Sequence, residues 1–161
     1  MTIYNGITYV GILDKVDFFY AKHSCIYKQL ILNNSFCLPD SKPNIESIIT
    51  VIVEPFVTRS KLIQTPNEKK LILQGIIKIK IVYVTDNAEQ SVHSAHFIQN
   101  FYTYINCHFH DLDCFDIKEC IKVIPYIEDV EVTSSEDRCF ELTSLILLTV
   151  KNCCKKLTCN K

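Results

Sequence analysis

Leu71-Ile72-Leu73-Gln74-Gly75-Ile76-Ile77-Lys78-Ile79-Lys80-Ile81-Val82-Tyr83-Val84 is the stretch that decides the fold class. Ile77, Ile79, Ile81 and Tyr83 recur with a period of two, and Lys78, Lys80 and Val82 take the positions between them. Successive side chains of a strand point to opposite faces, so this run describes a strand with one buried and one wetted side. Gly75, inside the run, predicts a bulge or a close approach by neighbouring backbone.

Outward from this strand the same signal repeats. Asp86-Asn87-Ala88-Glu89 reads as a turn, followed by a returning strand over 91–105 that is interrupted near Gln99-Asn100. Further strands are predicted over 47–57, 117–124, 130–133 and 138–151. In the last, Phe140, Leu142, Ile146, Leu148 and Val150 share a face, and 133–137 is a hairpin loop before it. Helical periodicity is weak, with room for one turn over 44–52. Pro39, Pro43, Pro55, Pro66 and Pro125 are expected at strand ends, because proline cannot donate to a ladder. The expected fold is all-β, an antiparallel β-sandwich or open barrel. Its organisation is an N-terminal extension over 1–24, a domain body over 25–151 and a Cys- and Lys-rich tail over 152–161.

Composition bounds the function. The chain has 161 residues, 48% of them hydrophobic and 22% charged, which suits one domain with a buried core and excludes wholesale disorder. Seventeen basic against eighteen acidic residues give a net charge of -1, which leaves no electrostatic footprint for nucleic acid. The most apolar window, 142–150, contains Thr143, Ser144 and Thr149 and is far shorter than a membrane-spanning helix, so no membrane insertion is expected. The first residues, Met1-Thr2-Ile3-Tyr4-Asn5-Gly6, carry no charged leader and apolar stretch, so no signal peptide is expected.

Nine cysteines are an odd number, so at least one thiol stays free, binds a ligand or pairs with another chain. Cys153, Cys154 and Cys159 lie past the last predicted strand among Lys155, Lys156 and Lys161. Adjacent cysteines rarely bridge each other, and nearby lysines favour exchange-competent thiolates. Three readings stand: reduced thiols, disulfides between chains, and a metal site. For the last, Cys107, His108, His110 and Cys114 supply zinc-type ligands, with Asp111, Asp113 and Cys120 close by and His93 and His96 as a second group. On a strand His108 and His110 face the same way and Cys107 the other, which makes a half-site without zinc-ribbon spacing. No nucleophile elbow, P-loop, dinucleotide fingerprint or H-E-x-x-H occurs, so no catalytic residue and no cofactor are assigned. The acidic stretches Glu128-Asp129-Val130-Glu131 and Glu136-Asp137 read as a solvated strand edge or a partner surface. Phe18-Phe19-Tyr20 reads as a packed segment or a docking arm.

The middle of the chain resembles the SPOCS domain, a module of sporulation proteins in spore-forming bacteria. The resemblance is carried by Leu38-Pro39-Asp40-Ser41-Lys42-Pro43-Asn44-Ile45-Glu46-Ser47-Ile48 and Val51-Ile52-Val53-Glu54. It continues in the 71–84 run with its Gly75 and Tyr83-Val84, in Ser91-Val92-His93-Ser94 and in Asn100-Phe101-Tyr102-Thr103-Tyr104-Ile105. It extends over about 25–151. The family implies a non-catalytic role in building the spore's protein envelope through contacts with other coat or exosporium proteins. In one known arrangement a C-terminal peptidoglycan-binding LysM domain follows; residues 152–161 are too few to hold one. The cysteine load is a second departure.

Together these imply a spore-surface building block, made in the mother-cell cytoplasm and deposited on the spore. Its partners are copies of itself and other coat proteins. Disulfides from Cys153, Cys154 and Cys159 would link chains, with Cys25 and Cys37 as acceptors. The alternatives are a non-covalent adaptor for another coat morphogen and a zinc-stabilised binding module.

Overall fold

The computed structural model describes residues 1–14, 26–107 and 121–152. Eight strands occupy them: β1 (Thr2–Tyr4), β2 (Ile7–Val10), β3 (Tyr27–Cys37), β4 (Ile45–Gln64), β5 (Lys69–Thr85), β6 (Val92–Cys107), β7 (Ile121–Glu136) and β8 (Cys139–Asn152). They form a five-stranded sheet in the order β1-β2-β4-β5-β6 and a three-stranded sheet in the order β3-β8-β7. The two sheets face each other as a sandwich and do not close into a barrel. Every pairing is antiparallel except β2 with β4, which runs parallel.

The opening run becomes β5, paired on both sides in the larger sheet, between β4 and β6. In β5 the odd-numbered residues from Leu71 to Thr85 are all buried, and the even-numbered ones face outward. Leu73, Ile77, Ile79, Ile81 and Tyr83 meet Ile127, Phe140, Leu142, Ile146 and Leu148 from the smaller sheet in one core. Burying such a side chain contributes about 1.5–3 kcal/mol, so this interlayer sets the register of both sheets. Phe36, Phe97 and Phe140 bring three strands together, with ring centroids 5.2–5.5 Å apart. Gly75 explains itself twice. It faces the β4 bulge between Val57 and Arg59, and the Phe101 ring lies over the space a side chain would fill.

Four hydrogen bonds hold the layers together at their margins. Lys28 on β3 donates to the Tyr104 carbonyl on β6 at 2.7 Å. The amide of Ile45 donates to the Asp137 carbonyl at 2.6 Å. The N-terminal hairpin runs along β4 and then crosses over, where the Leu13 amide donates to the Ile127 carbonyl at 2.7 Å. Tyr9 on β2 is buried, and its hydroxyl accepts from the Val132 amide at 3.4 Å.

Several expectations are corrected. The helical turn over 44–52 does not form, because from Ile45 these residues pair with β5. The interruption at Gln99-Asn100 is absent: Gln99 is buried opposite Ile77, and Asn100 faces out opposite Ile76. The strands expected over 117–124 and 130–133 are, within the described residues, one strand, β7, continued through a bulge between Ile127 and Asp129. Pro55 and Pro125 lie inside strands. Pro125 is on the edge strand β7, and Pro55 lies beyond Ile52, where pairing of β2 with β4 stops, so a missing N–H can face an open side. The β1–β2 hairpin and β3 were not foreseen. Asn5 and Gly6 both have positive φ, 49° and 78°, which two-residue hairpins of this kind require.

Candidate functional site

Two surfaces carry chemistry. The first surrounds a disulfide. Cys37 ends β3, Cys139 begins β8, and the two stand directly opposite in the register. The Leu38 amide donates to the Arg138 carbonyl at 2.8 Å, which makes 38 and 138 the hydrogen-bonded pair and 37 and 139 the closer, non-hydrogen-bonded one. There the side chains meet, and the sulfurs are bonded at a Cα separation of 4.1 Å. The bond opens onto a cleft of about 560 Å³ shared with Asp40, Asn44, Asp137 and Arg138. Arg138 is fixed by donating to Asn44 Oδ1 at 2.9 Å and to the Pro39 carbonyl at 2.7 Å.

This corrects the expectation for Cys37. Strand pairing places its partner within the chain, so it is not an acceptor for a neighbour's tail. Cys25, Cys153, Cys154 and Cys159 lie outside the described residues, as do His108, His110, Cys114 and the Phe18-Phe19-Tyr20 segment. Cys107 closes β6 opposite Lys69. His93 and His96 do not come together, since residues three apart on a strand face opposite ways. His93 meets Ser91 Oγ at 3.1 Å, while His96 is exposed opposite Lys80. Among the described residues no group of three or more His, Cys, Asp or Glu could hold a metal ion.

The second surface is the outer face of the five-stranded sheet. The inner faces cover each other, yet this outer side is also rich in apolar groups. Tyr102 is 72% exposed, Ile98 61%, Tyr104 44% and Phe56 40%. Cations lie over the rings: Lys28 and Lys70 sit 4.4 and 4.7 Å from the Tyr104 centroid, and Lys78 lies 4.8 Å from that of Phe56. Glu68, 3.0 Å from Lys70, raises that ammonium's pKa by hydrogen bonding. Between β4, β5 and β6 lies a depression of about 410 Å³ lined by Ile52, Lys78, Lys80, His96 and Ile98. Sequence reading assigned Lys78 and Lys80 to a wetted face. It missed the aromatic neighbours, because they become neighbours only through the β5–β6 register.

With this geometry in hand, the profile described as SipL, SPOCS domain matches residues 44–135, from the start of β4 into the end of β7. The chain belongs to the SPOCS-domain family. No curated protein and no solved structure matches it. In this SPOCS protein the matched segment supplies the β4-β5-β6 meander and β7. The strands that complete the smaller sheet, β3 and β8, fall outside the match yet share its core. Family membership makes this a sporulation-related protein. The match is narrower than the expected span of 25–151 and begins at Asn44, so Leu38 to Pro43 of the Lys-Pro segment lie outside it.

Proposed function

We propose that this SPOCS protein is a non-catalytic building block of the spore surface that associates with copies of itself and is locked by disulfides between chains. The observation that carries the reading is the outer face of the five-stranded sheet. A contiguous exposed apolar patch on a folded domain marks an interaction surface, and here Phe56, Ile98, Tyr102 and Tyr104 share one face. Cysteine arithmetic supports the covalent part. With Cys37 and Cys139 paired, seven of the nine cysteines remain, again an odd number. At least one is therefore left over for a partner, whatever pairs form within the chain. The tail residues Cys153, Cys154 and Cys159 are the proposed donors and Cys25 the remaining proposed acceptor. Deposition from the mother cell followed by oxidation on its lysis would supply the oxidising surroundings such disulfides need.

The test is a denaturing gel of oxidised recombinant protein and of spore-surface extract, with and without reductant. A ladder that collapses to monomer on reduction is expected, and electron microscopy of the oxidised sample should show a layer or fibre. A monomer in both lanes refutes the covalent assembly.

A further inference from the structure

The two outer faces of the sandwich carry opposite charge. On the five-stranded sheet, the register puts Arg59, Lys61, Lys78 and Lys80 on the outward side of β4 and β5, with Glu54 as the acid among them. On the three-stranded sheet, Glu128, Asp129, Glu131 and Glu141 face outward from β7 and β8, while Lys122 and Lys151 pair at the far end. Gln29 reaches across β8 to Glu128 at 2.7 Å, covering Leu147 beneath it. Both faces also offer apolar area. Tyr102 and Ile98 stand on the basic face, and Ile31, 71% exposed, and Tyr27, 61% exposed, stand on the acidic one.

The geometry points to a second copy of this chain as the occupant of the basic, aromatic face, docked through its acidic three-stranded face, so that subunits stack sheet upon sheet. This deepens the self-association proposed above and rests on it. A net charge of -1 hides the asymmetry, because the opposite patches nearly cancel within one molecule while attracting each other between molecules. The patches differ and lie on opposite sides of one sandwich. The contact is therefore heterologous, and each added subunit presents a fresh face to the next.

The test uses the full chain in reductant, which removes disulfides and isolates the non-covalent contact. Arg59→Glu with Lys61→Glu cancels the positive excess of the basic face; Glu131→Lys with Glu141→Lys makes both faces basic. All four side chains are exposed, and far-UV circular dichroism with a melting curve checks each fold. The neutral pair Glu131→Gln with Glu141→Gln is measured alongside. In sedimentation velocity the parent should associate with rising concentration and less so in salt that shortens the Debye length to about 3 Å. Each charge-reversed variant alone should associate at least about tenfold more weakly, and the Gln pair should fall between. An equimolar mixture of the two reversed variants should form a 1:1 complex, because the native acidic face of one still meets the native basic face of the other. Variants that associate like the parent, or a mixture that stays monomeric, overturn the stacking while leaving self-association standing. A parent monomeric with and without reductant overturns both.

Discussion

Gly75→Ala tests the packing logic of the whole sandwich. Gly75 pairs with Val57 on β4 and Phe101 on β6, well inside β5. A Cβ placed there would overlap the tip of the Phe101 ring and come within 2.5 Å of the Phe56 carbonyl oxygen, against about 3.5–4.0 Å for an unstrained contact. Phe101 is 2% exposed, so its ring has little room to move, and the oxygen belongs to the backbone of a neighbouring strand. Replacing glycine in a strand would by itself gain about 0.5–1 kcal/mol of conformational entropy. Overpacking a filled core costs about 1–3 kcal/mol, and a clash with backbone belongs at the upper end. The expected net loss is about 2 kcal/mol, which for a chain of this size lowers the melting temperature by about 4–8 °C.

Urea unfolding should show a lower midpoint at unchanged slope. Phe101→Leu alone should cost about 1 kcal/mol. Combined with Gly75→Ala it should recover about 1 kcal/mol relative to the sum, because the ring that obstructs the new methyl is gone. A Gly75→Ala protein as stable as the parent, or a strictly additive pair, would refute the claim that this glycine is fixed by the aromatic ring above it.

The Cys37–Cys139 bond closes a sequence separation of 102 residues, and its reduction should cost about 2–5 kcal/mol. Dilute protein should melt at a lower temperature in reductant, and Cys37→Ser with Cys139→Ser should reproduce that lower value; equal melting with and without reductant would contradict the bond. Burial raises the pKa of both Tyr9 and Tyr83 above 10.0. Unfolded tyrosines therefore lose protons first, and stability should be full below about pH 10 and fall as pH rises from there through the folded values. Tyr83→Phe should flatten that fall, as followed by urea midpoints across the alkaline range; an unchanged slope would count against the burial effect. Phe140→Ala removes a fully buried ring between Phe36 and Phe97, with an expected loss of about 3–5 kcal/mol and a smaller one for Phe140→Leu, both read by denaturant titration.

What the sequence disclosed followed the physics of alternation. β5 and β8 were legible because a strand with one face in the core prints a period of two, and the Gly75 anomaly was legible as a close approach. β3 was not, since its inward residues Leu30, Leu32 and Phe36 alternate with Asn33 and Ser35 over a stretch that also carries Ile31 outward. β1 and β2 are too short to show periodicity. Their signal was the Asn5-Gly6 pair, the strongest short hairpin cue. The disulfide was invisible for another reason. Cys37 and Cys139 are far apart in sequence, and only the β3–β8 register makes them opposite.

The same dependence on register explains why the outer surfaces had to be seen. Lys78 and Lys80 read as solvated positions when β5 stands alone. Paired with β6, they lie beside Ile98 and His96, and the next rows bring Tyr102 and Tyr104 onto the same side. A lysine next to exposed aromatic rings differs from a lysine in water, because its stem covers apolar surface while its charge stays available to an opposing carboxylate. The acidic run at Glu128-Asp129-Val130-Glu131 has the matching property. As part of an edge strand it discourages indiscriminate pairing, while the outward side chains still form a charged face across β7 and β8. Edge protection and face recognition are therefore separable in this fold. Replacing Asp129 and Glu131 by Asn and Gln should weaken stacking through the face. If the edge matters as well, the same change should raise irreversible aggregation, and light scattering after heating and cooling distinguishes the two.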